Sequence, residues 1–159
     1  MGIFTYENEV VSMIPPTKFC KAFIIDADNL YPKIVPNQPQ TEIVDGDGGL
    51  GTIKKITFNH GGQVKTITHR LDVVDEASLM YKYTVLEGDL ISDTIDQIVK
   101  EIKVIASPEG RSILKSTSIY HTKGDNQLDE EKLKTSEEKG LALFKAAEGY
   151  LLANPGEYN

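Results

Sequence analysis

The stretch Thr66-Ile67-Thr68-His69-Arg70-Leu71-Asp72-Val73 alternates between two kinds of side chain along its whole length. One set is mainly apolar and the other is polar. The first set consists of Ile67, His69, Leu71 and Val73, and the second of Thr66, Thr68, Arg70 and Asp72. A period of two indicates a β-strand with one face turned toward a core. This stretch therefore predicts a sheet that is covered on one side only.

The sequence around this strand predicts further strands of the same kind. Residues rich in β-branched and aromatic side chains are separated by turn-forming segments such as Asn59-His60-Gly61-Gly62 and Ser107-Pro108-Glu109-Gly110. The predicted strands are 3–12, 41–45, 53–58, 64–74, 79–87, 95–105 and 112–121. Because the last six follow one another with tight turns, we expect an antiparallel meander.

Three segments predict helices. Pro15-Pro16 favours a helix start before Thr17 to Ile25, and Asp26 or Asp28 begins a second helix that ends near Pro32–Pro36. The third runs from Glu130 to Ala153, with Asp129, Glu130 and Glu131 at its positive end. Its apolar residues recur at helical spacing. The prediction is one α+β domain over residues 1–159, in which the sheet curls around the long helix.

Composition excludes several classes of protein. The chain has 159 residues, 40% of them hydrophobic, and a net charge of −7, which disfavours a nucleic-acid partner. We expect no membrane span and, because no basic region precedes an apolar run, no secretory signal. Cys20 is the single cysteine, which fits a reducing compartment, so we expect a cytoplasmic protein. No Cys or His cluster has metal-ligand spacing, so we expect no metal and no cofactor. A monomer is favoured because no extended apolar surface pattern stands out.

The predicted inward faces are more polar than a sealed core would be. His69, Tyr81, Tyr83 and Lys100 fall in phase with aliphatic residues, and Lys54 joins them if Ile56 and Phe58 face inward. A cavity that binds a small molecule needs a few polar groups among apolar ones. Alternatively, the tyrosine hydroxyls and lysine tips reach solvent at the edge of the sheet. Spacing alone leaves both interpretations open.

A glycine-rich loop lies between the second and third predicted strands, in Gly46-Asp47-Gly48-Gly49-Leu50-Gly51-Thr52. Its glycines, Gly46, Gly48, Gly49 and Gly51, indicate backbone that needs positive φ or close approach. A phosphate loop would end in Gly-Lys-Ser/Thr and open a helix, whereas Thr52-Ile53-Lys54 enters a strand. We interpret the loop as a structural turn.

Five segments together carry a resemblance that spans the chain. They are Met1–Glu7, Asp26–Lys33, Gly46–Ile56, Tyr120–Asp125 and Ala147–Pro155. In this order they are similar to the plant class-ten pathogenesis-related family, whose best-known member is the major birch pollen allergen. The resemblance implies a helix-grip fold, with a seven-stranded sheet on a long helix, two short helices in a V and a large cavity. It also implies a cytosolic, stress-induced protein and potential allergen that binds flavonoids, cytokinins, other phytohormones or fatty acids, with no cofactor.

Carried onto this chain, the resemblance implies a set of ligand-binding residues. They are Phe23, Ala27, Tyr31, Ile56, Phe58, His69, Tyr81, Tyr83, Val85, Ile98, Lys100, Ile102, Lys139, Gly140 and Leu143. The strand phases place the middle of this set on one face independently. We expect His69, Tyr81, Tyr83 and Lys100 to orient the ligand, with Lys100 as the partner of a phenolate or carboxylate.

Other activities of related proteins give weaker expectations. Relatives that condense dopamine with an aldehyde have Tyr, Glu, Lys and Asp where this chain has Ile67, His69, Tyr81 and Lys100, so that chemistry is not expected. Abscisic-acid receptors have a Ser-Gly-Leu-Pro-Ala gate where this chain has 59–63, Asn-His-Gly-Gly-Gln. Ribonuclease activity, with Lys54, Glu148 and Tyr150 as its residues, remains the alternative.

Overall fold

The computed structural model describes residues 2–34, 40–60, 62–88, 91, 94–124 and 130–158, with the side chain of His60 left aside. Its strands are β1 (Ile3–Ser12), β2 (Gln40–Asp45), β3 (Ile53–His60), β4 (Gln63–Asp75), β5 (Met80–Glu87), β6 (Ile95–Ala106) and β7 (Ser112–Thr122). They form one curved antiparallel sheet in the order β1-β7-β6-β5-β4-β3-β2. The predicted seven-stranded sheet is confirmed, with β2 to β7 as the meander and β1 added beside β7.

The helices also lie where the sequence places them. They are α1 (Pro16–Phe19), α2 (Ala27–Ile34) and α3 (Glu130–Ala153). The predicted 17–25 helix changes pitch: Cys20–Ile25 is π-helical, and the Asp26 amide donates to Lys21 O at 2.9 Å. The Asp26 carboxylate accepts a hydrogen bond from Asn29 Nδ2 at 2.6 Å just as α2 begins. The predicted helix end at Pro36 and the acid Asp129 lie outside the described residues. None of the described helices has the length and apolar character needed to cross a membrane.

The inward face is divided into two packed ends and an open middle. At one end Val104, Leu114, Phe144 and Leu151 pack against the short helices. At the other end Ile95, Ile98, Tyr120 and Leu133 form a second cluster. Each contains residues from β6, β7 and α3. Between these two clusters, the same inward face lines a cavity.

A bulge in β4 changes which residue faces this cavity. The alternation predicts that Val73 shares a face with His69 and Leu71, but the pairing with β5 shifts between Leu71 and Val73. Asp72 is the extra residue. Beyond it, Val73 pairs with Lys82, and Val74 is the residue that lines the cavity. The prediction for Val73 is therefore wrong, because a bulge moves the residues after it onto the opposite face.

Candidate functional site

The larger cavity, here called the outer chamber, has a volume of about 330 Å³. It lies between α2, the glycine-rich loop and the inward faces of β3, β4 and β5. Its lining consists of Ile24, Ile25, Ala27, Asp28, Tyr31, Gly48, Gly49, Leu50, Thr52, Lys54, Ile56, His69, Leu71, Val74, Tyr81 and Tyr83. A mainly apolar wall with a few polar groups, at this volume, is typical of a small-molecule site.

A second cavity of about 100 Å³, here called the inner chamber, lies under α3. Its lining consists of Asn8, Val10, Phe23, Tyr31, Tyr81, Tyr83, Lys100, Ile102, Leu114, Ser116, Ser136, Glu137, Gly140, Leu141, Leu143 and Phe144. Strands β1, β5, β6 and β7 and helix α3 all contribute to it, together with residues of the short helices.

Three tyrosines, Tyr31, Tyr81 and Tyr83, line both chambers and form the wall between them. The rings of Tyr81 and Tyr83 lie 5.0 Å apart, and His69 contacts Tyr83 edge-on at 4.9 Å. Burial raises the pKa of all three phenols, that of Tyr83 to about 12. They are neutral at physiological pH, so each hydroxyl can both donate and accept a hydrogen bond.

The outer chamber contains one ion pair and one neutral histidine. Lys54 Nζ lies 2.7 Å from Asp28 Oδ2, which joins β3 to α2. Burial, assisted by the nearby Lys54 charge, lowers the pKa of His69 to about 4, against a weaker opposing effect of Asp28. The His69 imidazole is therefore uncharged at neutral pH and offers one donor and one acceptor.

The inner chamber contains a second ion pair, between Lys100 Nζ and Glu137 Oε1, at 3.3 Å. Lys100 also donates to Ser118 Oγ at 2.9 Å. Glu137 accepts hydrogen bonds from the Tyr120 hydroxyl at 2.6 Å and from Asn8 Nδ2 at 2.9 Å. Burial raises the pKa of Glu137, but the Tyr120 hydrogen bond and the Lys100 charge, with smaller contributions from hydrogen bonding, outweigh it and lower the pKa overall.

This pairing changes the role expected for Lys100. The sequence predicts a cavity lysine that is available to a phenolate or carboxylate, whereas the structure gives its ammonium a carboxylate within the protein. The sequence did contain a sign of this partner, Glu137. Glu137 lies four residues after Leu133 and three before Gly140, so it shares their face of α3. An acid on an inward face needs a partner, and Lys100 is the in-phase cation.

The predicted ligand-binding residues divide into four groups: those that line the outer chamber, the inner chamber, both or neither. Ala27, Ile56 and His69 line the outer chamber, and Phe23, Lys100, Ile102, Gly140 and Leu143 line the inner one, with Tyr31, Tyr81 and Tyr83 in both. Phe58, Val85, Ile98 and Lys139 are not among the residues that line either chamber. Ile98 belongs to the second packed cluster and Val85 packs against it, while Lys139 is exposed on α3. Phe58 lies farther along β3, opposite Lys65.

Several residues of the short helices and loops line the outer chamber although the sequence pattern does not predict it. Ile24, Ile25 and Leu50 have no strand phase that would place them, and Asp28 is recognisable only through its contact with Lys54. Asn8 lies on β1, whose inward face becomes evident only when its pairing with β7 is known.

Backbone amides of the glycine-rich loop donate hydrogen bonds to acceptors within the protein. Gly48 N donates to Thr52 Oγ1 at 2.9 Å, Gly49 N to Asp47 Oδ1 at 2.9 Å, and Gly51 N to Leu71 O at 2.7 Å. A phosphate loop instead points a row of amides at its ligand. The described contacts of this loop therefore favour the structural interpretation.

The three residues of the ribonuclease alternative lie in separate environments. Lys54 lines the outer chamber, whereas Glu148 accepts from Met13 N at 3.3 Å and lies 3.8 Å from Lys145. Tyr150 packs against the cluster that contains Phe144 and Leu151, with Lys33 Nζ 5.9 Å from the centre of its ring. Neither Glu148 nor Tyr150 lines a chamber described here. No group of three or more His, Cys, Asp or Glu residues within the described ranges is placed to hold a metal.

Comparisons with known proteins agree with this geometry. Residues 1–154 match the family model of the pathogenesis-related protein Bet v 1 family. Major allergen Pru ar 1 of Prunus armeniaca is 56% identical over 160 residues, covering 100% of both chains. Major strawberry allergen Fra a 1.05 of Fragaria ananassa is 55% identical, covering 99% of both.

Solved structures show the same fold. The crystal structure of Ara h 8.0201 matches with a TM-score of 0.87 and 38% identity, covering 96% of this chain and 99% of the other. Norcoclaurine synthase from Thalictrum flavum in complex with dopamine and hydroxybenzaldehyde matches with a TM-score of 0.72 at 21% identity, covering 96% and 88%. At that identity the second match establishes similarity of fold alone.

Proposed function

Because the chain belongs to the pathogenesis-related Bet v 1 family, we propose that it binds a small amphipathic plant metabolite in its two-chambered cavity and stores or carries it. The observation that carries this proposal is the wall of neutral tyrosines inside a mainly apolar cavity. Flavonoids, cytokinins, other phytohormones and fatty acids are the candidate ligands. The norcoclaurine synthase complex supports the proposal that this fold accommodates small molecules, because that protein binds dopamine and hydroxybenzaldehyde.

Binding is driven mainly by burial of the ligand's apolar surface. Each Å² removed from water contributes roughly 25 cal/mol. A flat aromatic ligand reaches micromolar affinity after the costs of association. The hydroxyls of Tyr31, Tyr81 and Tyr83 and the neutral imidazole of His69 orient its polar groups, since all four can both donate and accept.

The proposal also covers the compartment, oligomeric state and biological role of the protein. We place the protein in the cytoplasm as a monomeric single-domain carrier in plant stress or defence. Its lone cysteine, Cys20, is buried and free, which suits a reducing compartment. The relatives named as major allergens make allergenicity part of the proposal.

Titration calorimetry of the delipidated protein with a panel of flavonoids, cytokinins and fatty acids tests the proposal. We expect saturable binding at micromolar concentration. Gly140→Leu places a side chain at the inner chamber and should weaken binding by about tenfold or more, a loss of about 1.4 kcal/mol. Gly149→Leu is the matched control, since Gly149 is also in α3, has open space around it and is not among the lining residues. Absence of binding across the panel would reject the carrier function.

A further inference from the structure

The charged side chains that line the two chambers are paired with each other. Among the described lining residues these are Lys54 with Asp28 in the outer chamber and Lys100 with Glu137 in the inner chamber. We propose that the cavity selects electrically neutral ligands, and that the inner chamber binds a polar group that both donates and accepts, such as an amide or a hydroxyl. This inference rests on the proposed function and narrows its ligand class: among the candidates it favours neutral flavonoids and cytokinins over fatty acids and other ligands that are carboxylates at neutral pH.

The inner pair is the stronger determinant of this selection. The side chains of Lys100 and Glu137 are 18% and 14% exposed, so solvent screens their charges weakly. In the outer pair Asp28 is 46% exposed, and water moderates the field there. Selection by charge is therefore expected to depend mainly on Lys100 and Glu137.

A charged ligand group finds no counter-charge of its own among the described residues of this chamber. A carboxylate beside Lys100 also approaches Glu137, whose carboxylate is held in its charged form by the Tyr120 hydrogen bond and the Lys100 charge. A ligand ammonium beside Glu137 likewise approaches the positive charge of Lys100. Removing an ion from water without a dedicated partner costs far more free energy than removing a neutral amide that finds hydrogen-bond partners in the chamber.

The hydrogen-bonding capacity left in the pair indicates the kind of neutral group. An ammonium has three N–H donors, and those of Lys100 reach Ser118 and Glu137 among the described residues. A carboxylate has about four acceptor positions, and those of Glu137 are taken by Tyr120, Asn8, Lys100 and Ser118. One donor of Lys100 thus remains at the chamber wall, next to the hydroxyls of Ser116 and Ser136, which can both donate and accept. A ligand amide or hydroxyl, which accepts and donates in turn, satisfies this combination.

Three probes that share one skeleton test this inference at neutral pH by calorimetry. They are trans-cinnamate, trans-cinnamamide and cinnamylamine, which carry a negative charge, no charge and a positive charge. We expect cinnamamide to bind at least about tenfold more tightly than either ion. Equal affinities, or tighter binding of cinnamate, would overturn the inference while leaving the carrier function intact.

Two variants with opposite changes locate the selection at the ion pair. Glu137→Gln leaves the Lys100 charge in excess and should raise the affinity for cinnamate relative to cinnamamide by about tenfold. Lys100→Met leaves Glu137 in excess and should favour cinnamylamine instead. Glu138→Gln makes the same charge change at the neighbouring residue of α3, which lines neither chamber, and should preserve the wild-type order.

The failures of the two proposals are distinguishable. If the probes bind but their order is unchanged in both Glu137→Gln and Lys100→Met, the ion pair does not select the ligand, and the inference is overturned alone. If neither the probes nor the wider panel of metabolites binds the wild-type protein, the carrier function fails, and the inference fails with it.

Discussion

Lys100 Nζ lies 3.3 Å from Glu137 Oε1 and so connects strand β6 to helix α3 across the inner chamber. The same carboxylate accepts hydrogen bonds from Tyr120 of β7 and Asn8 of β1. One acid on the long helix is thus held by three strands of the sheet. The structure combines an open cavity with a fixed polar contact between its two main parts.

We expect this ion pair to contribute measurably to stability. Lys100→Met leaves Glu137 partly buried without its cation, which should lower the free energy of unfolding by about 2 kcal/mol. A double-mutant cycle with Glu137→Gln should give a coupling energy of about 1–2 kcal/mol in urea unfolding, since the two side chains are in direct contact.

The exposed pair of Arg111 and Glu109 is the control for this cycle. Its atoms lie 3.6 Å apart, but the side chains are 43% and 74% exposed. Solvent-exposed pairs couple by less than about 1 kcal/mol. If the cycle at Lys100 and Glu137 gives no more coupling than this control, the buried pair has no special role in stability.

The pH dependence of stability should show the neutral state of His69. Its pKa is about 4 in the folded protein, against the ordinary histidine value of 6.5, so the unfolded chain binds a proton first as the pH falls. Stability from this group is therefore complete above pH 6.5 and is lost progressively as the pH falls toward 4. The loss is about 3 kcal/mol.

His69→Asn removes this titration. Urea unfolding of the wild-type and variant proteins between pH 7 and pH 4 should give two curves whose difference changes by about that amount. Acids elsewhere in the chain titrate in both proteins and cancel in the difference. Parallel curves would show that His69 titrates normally in the folded protein.

Two glycines of the loop before β3 should respond differently to alanine. Gly46 and Gly51 both have positive φ, 103° and 81°. A Cβ at Gly46 would lie 2.7 Å from Thr52 Oγ1 and 2.9 Å from Thr52 Cα, whereas a Cβ at Gly51 meets nothing within 4 Å. We expect Gly51→Ala to cost about 1–2 kcal/mol for its backbone conformation alone and Gly46→Ala about 3 kcal/mol. Thermal unfolding measures both, and equal losses would contradict the steric contribution.

Much of this fold was predictable because periodicity and turn residues are local signals. The alternation around His69, the turn at Ser107–Gly110 and the helical spacing of α3 each act within a few residues. Together they place the strands, the long helix and the inward face with Tyr81, Tyr83 and Lys100.

The remaining features depend on contacts between distant residues. The bulge at Asp72 arises from the pairing of β4 with β5. It turns Val74 instead of Val73 toward the cavity, and nothing in the local sequence pattern indicates it. The in-phase residues Ile98 and Lys100 look equivalent by spacing, yet the first is in a packed cluster and the second in the cavity. Only tertiary packing decides where a core ends and a chamber begins.

The end of the chain should stabilise the helix that covers the outer chamber. The Tyr158 hydroxyl donates to Asp26 Oδ2 at 2.6 Å, immediately before α2, whose residues Ala27 and Tyr31 line that chamber. The hydrogen bond from Tyr158 is the main cause of the lowered pKa of Asp26. Tyr158→Phe removes this bond to a charged acceptor and should lower the free energy of unfolding by about 1 kcal/mol.

Hydrogen exchange measures whether this contact acts on α2 specifically. In Tyr158→Phe, the amides of Ala27–Ile34 should exchange several-fold faster, whereas those of β6 and β7 change only by the global loss of stability. Asp26→Asn, which also disturbs the hydrogen bond from Asn29, should accelerate exchange in α2 at least as much, and the double variant should add little to Asp26→Asn, since Tyr158 acts through that carboxylate. Additive losses in the double variant, or unchanged exchange in α2, would show that Tyr158 and Asp26 act independently and that the C-terminal segment does not hold α2 over the chamber.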